Sequence, residues 1–473
     1  MQRIMKATLT TILLLLLAAP SFAGKEVDVD GILHVMNGTE PSGENVVVEL
    51  EEVWRHGGED DEDFFGMISQ CVVGDDGTIY LLDTRMSEVP VYSPDGERLD
   101  TLSRAGDGPG ETRTPSGLLF MPDGNLGLVQ VFPGKVTKIS TDGSPAGVME
   151  FGDPTSGGFL QMFDCVSGGG QVIVTAEKIN PENGGLAHRR NNFVAAFDDE
   201  GNETVRYHTN EYFWDFTDFT FDESGMNRVD FRKVAVGQDG RVYVAAERDD
   251  YVINVYTADG ELERVIEREY TPRARDEEEF NRVKTTMEQA LAQIPNAKIV
   301  PSPNYPDIGS LMFGTDSNLW VANSHSGFVE PEGILTTWDV FSPDGHFIKT
   351  VSAKCEGDGE NDLLIWTPDG NAVMVTGFTE AIEALQNPGG AGGEEDDLTS
   401  GQATRHAVII MQRTSSGRSR QRGMLPGVDA VAPLLRPSVR PRSPGRPPGP
   451  RGPGGRTDPD GGRHRPRTAL RPG

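Results

Sequence analysis

ISQCVVGDDGTIYLLDTRMSEVPVYSPDGERLDTLS, residues 68–103, contains four short apolar runs, the first two joined through Asp76-Gly77 and the last two through Asp95-Gly96. Asp-Gly between apolar runs is the strongest short-range signal for a β-hairpin, and the expected connection is a type I′ turn with positive φ at both central residues. The next unit repeats the layout with Asp123-Gly124 and Asp142-Gly143. Gly77 and Gly96 are 19 residues apart, Gly124 and Gly143 again 19, and the two units are offset by 47. Four further units follow, beginning at CVSGGGQVIVTA, VAVGQDGRVYVAA, LMFGTDSNLWVAN and LLIWTPDGNAVMVT; in the fifth, Asp316-Ser317-Asn318 replaces Asp-Gly. Four-stranded units recurring every 40–50 residues or so indicate a β-propeller.

The sixth unit has a third strand, HAVIIMQ, and no fourth. Upstream of the first unit, NVVVELEEVW (45–54) has no turn-linked partner and is the natural outer strand of the sixth blade. Closing the ring in this way leaves no orphan edge between first and last blades. The fold expected is therefore all-β, a six-bladed propeller closed by its N-terminal strand.

The segment IYLLDTRMSEVPVYSPDGERLDTLSRAGDGPGE, with LWVAN and TWDVFSPDG downstream, resembles the NHL-like, TolB-like superfamily of six-bladed propellers, and within it a group of exported bacterial proteins. The resemblance spans 45 to about 412 and is weakest in the sixth blade, where an acidic, Gly-rich insertion runs through 377–404. It implies a fold far more than an activity. Catalytic relatives of the lactonase or lyase type imply a divalent metal, calcium foremost, in the central channel, held by inward carboxylates and amides from several blades.

Residues 1–23 read as a signal peptide, with Arg3 and Lys6 ahead of a short apolar core and a small-residue cleavage site ending at Ala23. That core is too short to span a bilayer, so the expectation is a periplasmic or extracellular protein with no membrane span. Residues 24–44 are expected as a linker. The formal net charge is −30, and because the tail from Arg413 carries 14 Arg against 3 Asp, about −41 lies on the rest of the chain. Such a body repels phosphate backbones and argues against nucleic acid as a partner. The tail, rich in Arg, Pro and Gly, cannot bury a core and is expected to be disordered. Its lack of Lys and abrupt charge reversal fit out-of-frame translation of GC-rich sequence better than a basic arm. Cys71, Cys165 and Cys355 are widely spaced and form no disulfide framework; the first two read as small buried hydrophobes.

The short Asp-Gly turns join first to second and third to fourth strands, so they share one face of the ring. The long segments, 178–191, 210–230, 266–307, 324–333 and 377–404, fall at the opposite end of the strands. Long loops on a rigid scaffold are where binding sites concentrate. Within the third, DEEEFNRVKTTMEQALAQI (276–294) places Phe280, Val283, Met287, Leu291 and Ile294 at helical spacing, predicting a helix between blades four and five.

Residues following each second strand are expected to ring the mouth of that face: Asp83 and Arg85, Gln130, Glu177 and Lys178, Glu247 and Arg248, and Asn323 with His325. Trp214, with Tyr212, Phe213 and Phe216, would supply aromatic surface. Mixed charge with aromatics suits a polar ligand: a peptide, a glycan or a protein surface. The acidic runs 59–63 and 394–397 lack the alternating spacing of a calcium loop and read as solvated charge. The sequence carries no P-loop, no HExxH and no G-x-S-x-G elbow. The function expected is therefore non-catalytic binding through the loop-rich face, with a metal-dependent propeller enzyme as the competing reading.

Overall fold

The computed structural model describes residues 24–58, 63–151, 157–386 and 406–414. The signal segment, the acidic runs at 59–62 and 394–397, most of the 377–404 insertion and the tail from 415 lie outside the described residues.

The chain is all-β with two helices among the described residues. It opens with β1 (Lys25–Val29), β2 (Ile32–Asn37) and β3 (Val46–Gly57). Antiparallel meanders follow. The first sheet is β4 (Ile68–Val73), β5 (Ile79–Asp83), β6 (Val89–Tyr92) and β7 (Arg98–Leu102). The second is β8 (Gly117–Phe120), β9 (Leu126–Gln130), β10 (Lys135–Ile139) and β11 (Pro145–Glu150). The third is β12 (Phe159–Gly168), β13 (Gln171–Glu182), β14 (Ala187–Phe197) and β15 (Glu203–Asp215). After β16 (Thr220–Asp222) come β17 (Val234–Val236), β18 (Val242–Val244), β19 (Val252–Tyr256) and β20 (Leu262–Arg268), the fourth sheet. Helix α1 (Glu277–Ala290) and β21 (Lys298–Val300), which pairs in parallel with β16, precede the fifth: β22 (Ile308–Phe313), β23 (Leu319–Asn323), β24 (Ile334–Phe341) and β25 (Phe347–Lys354). Last come β26 (Leu363–Trp366), β27 (Ala372–Val375), helix α2 (Phe378–Gln386) and β28 (Ala407–Arg413).

The hairpin turns differ from the expected type. Pro94 fixes a negative φ at the first corner of Ser93-Pro94-Asp95-Gly96, which type I′ does not allow. The amide of Gly96 donates to Ser93 O (3.0 Å), that of Ser93 to Glu97 O (2.8 Å), and Gly96 alone takes positive φ, +87°. This is a type I corner closed by a left-handed glycine, with a bulge where β6 pairs with β7. In the fifth sheet Ser317 occupies the glycine's place at φ +58°.

Alternate side chains of each strand enter different cores, which explains why IYLLD reads as a continuous apolar run. Tyr80 and Leu82 pack with Leu118, Leu126 and Leu128 of the second sheet. Ile79 and Leu81 pack with Val373, Val375, Val408 and Ile410 of β27 and β28. The same arrangement joins second to third through Val129, Val136, Val174 and Phe193, and third to fourth through Ile173, Val194, Val242 and Val244. Ile253, Val255, Leu319 and Phe341 join fourth to fifth; Trp338, Val340, Met374 and Ile409 join fifth to sixth. Each fully buried Leu or Ile contributes about 2–3 kcal/mol by leaving water.

β3 behaves as its sequence suggests. Its start pairs in parallel with β25, its remainder antiparallel with β28 from Leu50↔Arg413 to Gly57↔Ala407. The result is one eight-stranded sheet, β22-β23-β24-β25-β3-β28-β27-β26. Residues 24–44, expected as a linker, carry a hairpin instead: β2 extends the fourth sheet beside β20, and Asn37 donates to Glu267 O and Gly345 O.

A second difference lies in the third sheet. Residues 178–182 and 187–191, and 210–215 at the start of the 210–230 loop, are strand: β13 and β14 pair without a break from Val172↔Phe197 to Glu182↔Ala187, and β15 follows to Asp215. This sheet rises past its neighbours at the end where loops were expected.

Helix α1 forms where the apolar spacing predicts it, and Phe280, Val283 and Met287 are half-buried. Asp276 accepts from Glu279 N (2.8 Å) while Glu279 returns a bond to Asp276 N (2.9 Å), a reciprocal cap. Asp276→Ala is expected to lower stability by about 1 kcal/mol in urea denaturation. The three cysteines are free thiols; burial pushes Cys71 up to about 12 and Cys355 to about 11.

Candidate functional site

The first strands of successive sheets lie side by side: β4 against β8, β8 against β12, β12 against β17, and β17 against β22. Charged residues meet at the ends of these strands. Arg232, just before β17, donates its amide to Asp164 Oδ2 (2.9 Å) and its guanidinium to Ser69 O (3.2 Å), 163 residues away in the first sheet. Leu311 N donates to Arg232 O (2.8 Å), and the Phe378 ring stands 5.7 Å from the guanidinium. The backbone there is left-handed, φ +59°, a conformation costing an L-residue about 1 kcal/mol or more.

Beside it, Lys233 donates to Ile308 O, and burial lowers its ammonium pKa. Asp307 is 4% exposed, and its Oδ1 has no hydrogen-bond partner among the described residues. Burial first, then the nearby Asp249 and Asp250 carboxylates, push Asp307 up to about 6. The native state thus holds this proton more tightly than the unfolded chain, whose carboxyl titrates near 3.8. Its contribution to stability is present at low pH and is lost as pH rises from about 4 to about 6. Asp307→Asn is expected to flatten that slope and raise stability at pH 7 by about 1 kcal/mol, allowing for solvent screening at the rim. Urea denaturation at pH 4, 5, 6 and 7 checks it.

Next to this rim, a cleft of about 500 Å³ opens between the raised end of β15 and the link to the fourth sheet. Alternation along β15 turns His208, Asn210, Tyr212 and Trp214 to one side of the sheet. All four line the cleft, together with Asp222, Asn227, Arg228 and Glu247. Asn210 Nδ2 donates to Asn227 O (2.5 Å), and Asn227 Oδ1 accepts from Arg248 N (3.4 Å), fixing the link against both sheets. Behind the wall, Arg190 donates Nε to Glu177 Oε2 (2.8 Å) and lies 3.9 Å from the Trp214 ring centroid. Glu177 is fully buried.

The structure thus places Trp214 and Glu247 in the cleft, with Glu177 paired behind its wall and Lys178 half-buried beside Glu177 on β13. Arg248 is buried and held by Glu223 (2.7 Å), Asn304 O (3.0 Å) and Asp249. The others lie apart. Asp83 accepts from the amides of Gly66, Met67 and Met86 (2.7–3.1 Å), stapling the entry to β4. Gln130 is buried and bonds Thr112 and Phe132 O. Asn323 donates to Asp339 (2.8 Å) and accepts from Tyr270 and from the amide of His325, whose ring meets Thr271 O. Arg85 is exposed. His208, Asn210, Asp222, Arg228, Lys233, Arg232 and Asp307 were not anticipated. For the last three a signal existed: DFRKVAVG and PDIGSLMFG set charges directly before an innermost apolar strand.

Among the described residues no group of three or more His, Cys, Asp or Glu is arranged to hold a metal ion, and no helix is long and apolar enough to cross a membrane.

No family model matches the chain, and no curated protein matches it. Three of the solved structures similar to it are a member of the DUF4221 family from Bacteroides vulgatus, a catalytically inactive virginiamycin B lyase from Staphylococcus aureus with quinupristin, and the calcium-binding protein regucalcin from Agrobacterium tumefaciens. Their identities are 10%, 12% and 11%, with TM-scores of 0.41, 0.38 and 0.35. They cover 77%, 76% and 78% of this chain, and 98%, 98% and 97% of their own. At these TM-scores the likeness carries no argument about what this chain binds or does.

Proposed function

We propose that this chain is an exported, non-catalytic binding protein: a six-bladed propeller closed by β3, which holds a polar ligand in the cleft between its third and fourth blades. Six cores, each shared by consecutive sheets and the last by sixth and first, support the closed ring. So does the reach of Arg232 to Ser69. A closed ring removes edges and gives a rigid mount for a raised hairpin.

The observation that carries the binding reading is the cleft itself. A volume of about 500 Å³ lies within the range of small-ligand sites, and convergent polar groups on an aromatic wall are what such sites use for orientation.

Peptide and glycan arrays probed with the intact chain test this, with Glu247→Ala and Asp222→Ala as cleft variants. A binder is expected, and each substitution is expected to weaken it at least fivefold, or about 1 kcal/mol, while the melting temperature holds. Binding indifferent to both substitutions would place the site elsewhere.

A further inference from the structure

The groups lining the cleft differ in how they are satisfied, and the difference has a sign. Arg228 is engaged: its Nη2 lies 3.6 Å from Asp230 Oδ2, and its guanidinium lies 4.8 Å from the Phe163 ring. Burial holds His208 below the ordinary histidine range, so its ring is neutral at pH 7. Asp222, exposed, and Glu247, half-buried, have no ion-pair partner among the described residues. The uncompensated charge at the cleft is therefore negative, on a body that is itself strongly acidic.

The wall is also suited to cations. Aromatic faces attract guanidinium and ammonium groups through the ring quadrupole. One of the chain's own arginines already uses this wall: Arg190 lies 3.9 Å from the Trp214 centroid. Phe221 lines the cleft with no aromatic or cationic partner of its own among the described residues. The Tyr212 hydroxyl is buried with no hydrogen-bond partner, while its residue lines the same cleft. A donor group entering the cleft would find acceptors in Glu247 and Asp222.

We infer that the cleft selects an organic cation, a protonated amine or guanidinium of the kind carried by lysine and arginine side chains of a short peptide, seated against Phe221 and paired with Glu247 and Asp222. This rests on the cleft being the binding site. The surrounding field adds to it, since an acidic body concentrates cationic ligands at its surface.

Calorimetric titration of the intact chain with trilysine, triglutamate, spermidine and maltotriose tests the inference. Trilysine is expected to bind and triglutamate not. Glu247→Gln and Asp222→Asn are each expected to weaken trilysine about tenfold, the loss of one charge-assisted contact. Raising ionic strength from about 20 to about 300 mM should weaken it several-fold as the Debye length shrinks. Glu247→Lys keeps the position filled and should reverse the preference toward triglutamate, so a result does not hinge on a neutral variant. Spermidine binding as tightly as trilysine identifies the cation alone as the feature recognised; trilysine binding alone adds the peptide backbone. Maltotriose binding that Glu247→Ala abolishes, with no trilysine binding, overturns the cation inference and leaves the cleft reading standing. Trilysine binding untouched by both neutral variants overturns the inference and removes the cleft as the site.

Discussion

A chain that begins at residue 59 is expected not to reach a cooperatively folded state. Its loss would leave β28 and β25 with open edges and strip Leu50 from the core between the fifth and sixth sheets. A strand of 12 residues that pairs with β25 through its start and with β28 through its remainder contributes more than a domain's usual net stability of about 5–15 kcal/mol can spare. The expected observation is a broad thermal transition with aggregation, since unpaired strand edges template association. A synthetic peptide of residues 45–58 supplied in trans should restore a sharp transition. Cooperative melting of the truncated chain without the peptide would show that the ring does not depend on β3.

The second large effect concerns the pair behind the cleft. Arg190→Met leaves the Glu177 carboxylate fully buried without its cation, and Glu177 Oε1 already has no hydrogen-bond partner among the described residues. Breaking a buried pair from one side costs about 3–5 kcal/mol, because the remaining charge stays desolvated. Combining Arg190→Met with Glu177→Gln removes that charge and is expected to recover most of the loss. Urea denaturation of the single and double variants measures both. A loss below about 1 kcal/mol for Arg190→Met would mean that water reaches Glu177 and the third sheet is looser than described. The Trp214 ring would also lose its stacked guanidinium, so trilysine titration of the double variant reports on the cleft wall separately from stability.

The sheets were legible because Asp-Gly spacing survives wherever a tight turn is required. The turn type was not, because reading Asp-Gly alone omits the preceding Pro94, whose fixed φ selects the type I corner. Helix α1 was legible for a complementary reason: Phe280, Val283 and Met287 fall on one face, and Asp276 with Glu279 mark its start. The raised part of the third sheet was hidden because its strands carry Glu177, Arg190, Asn192 and Asn210 inward. Burying paired polar groups erases the apolar alternation that marks a strand. Asn192, for example, is fully buried and exchanges bonds with Val229 N and O at 2.9 Å.

The site was half legible for a topological reason. Counting from the ends of second strands reached Glu247, and the aromatic run supplied Trp214, but three of the counted positions, Asp83, Gln130 and Asn323, are engaged in shaping their own loops. The charges at the inner rim enter instead from the links that lead into first strands, as Arg232, Lys233 and Asp307 do. Their convergence depends on sheets far apart in sequence, which spacing along a single chain does not encode.

Hydrogen exchange on the intact chain, resolved along β3, tests the proposed closure of the ring by that strand. The amides of residues 50–57 that bond β28 are expected to exchange no faster than the β28 amides that bond β3, since that ladder opens as one. Exchange of β3 within seconds while β28 stays protected would contradict it.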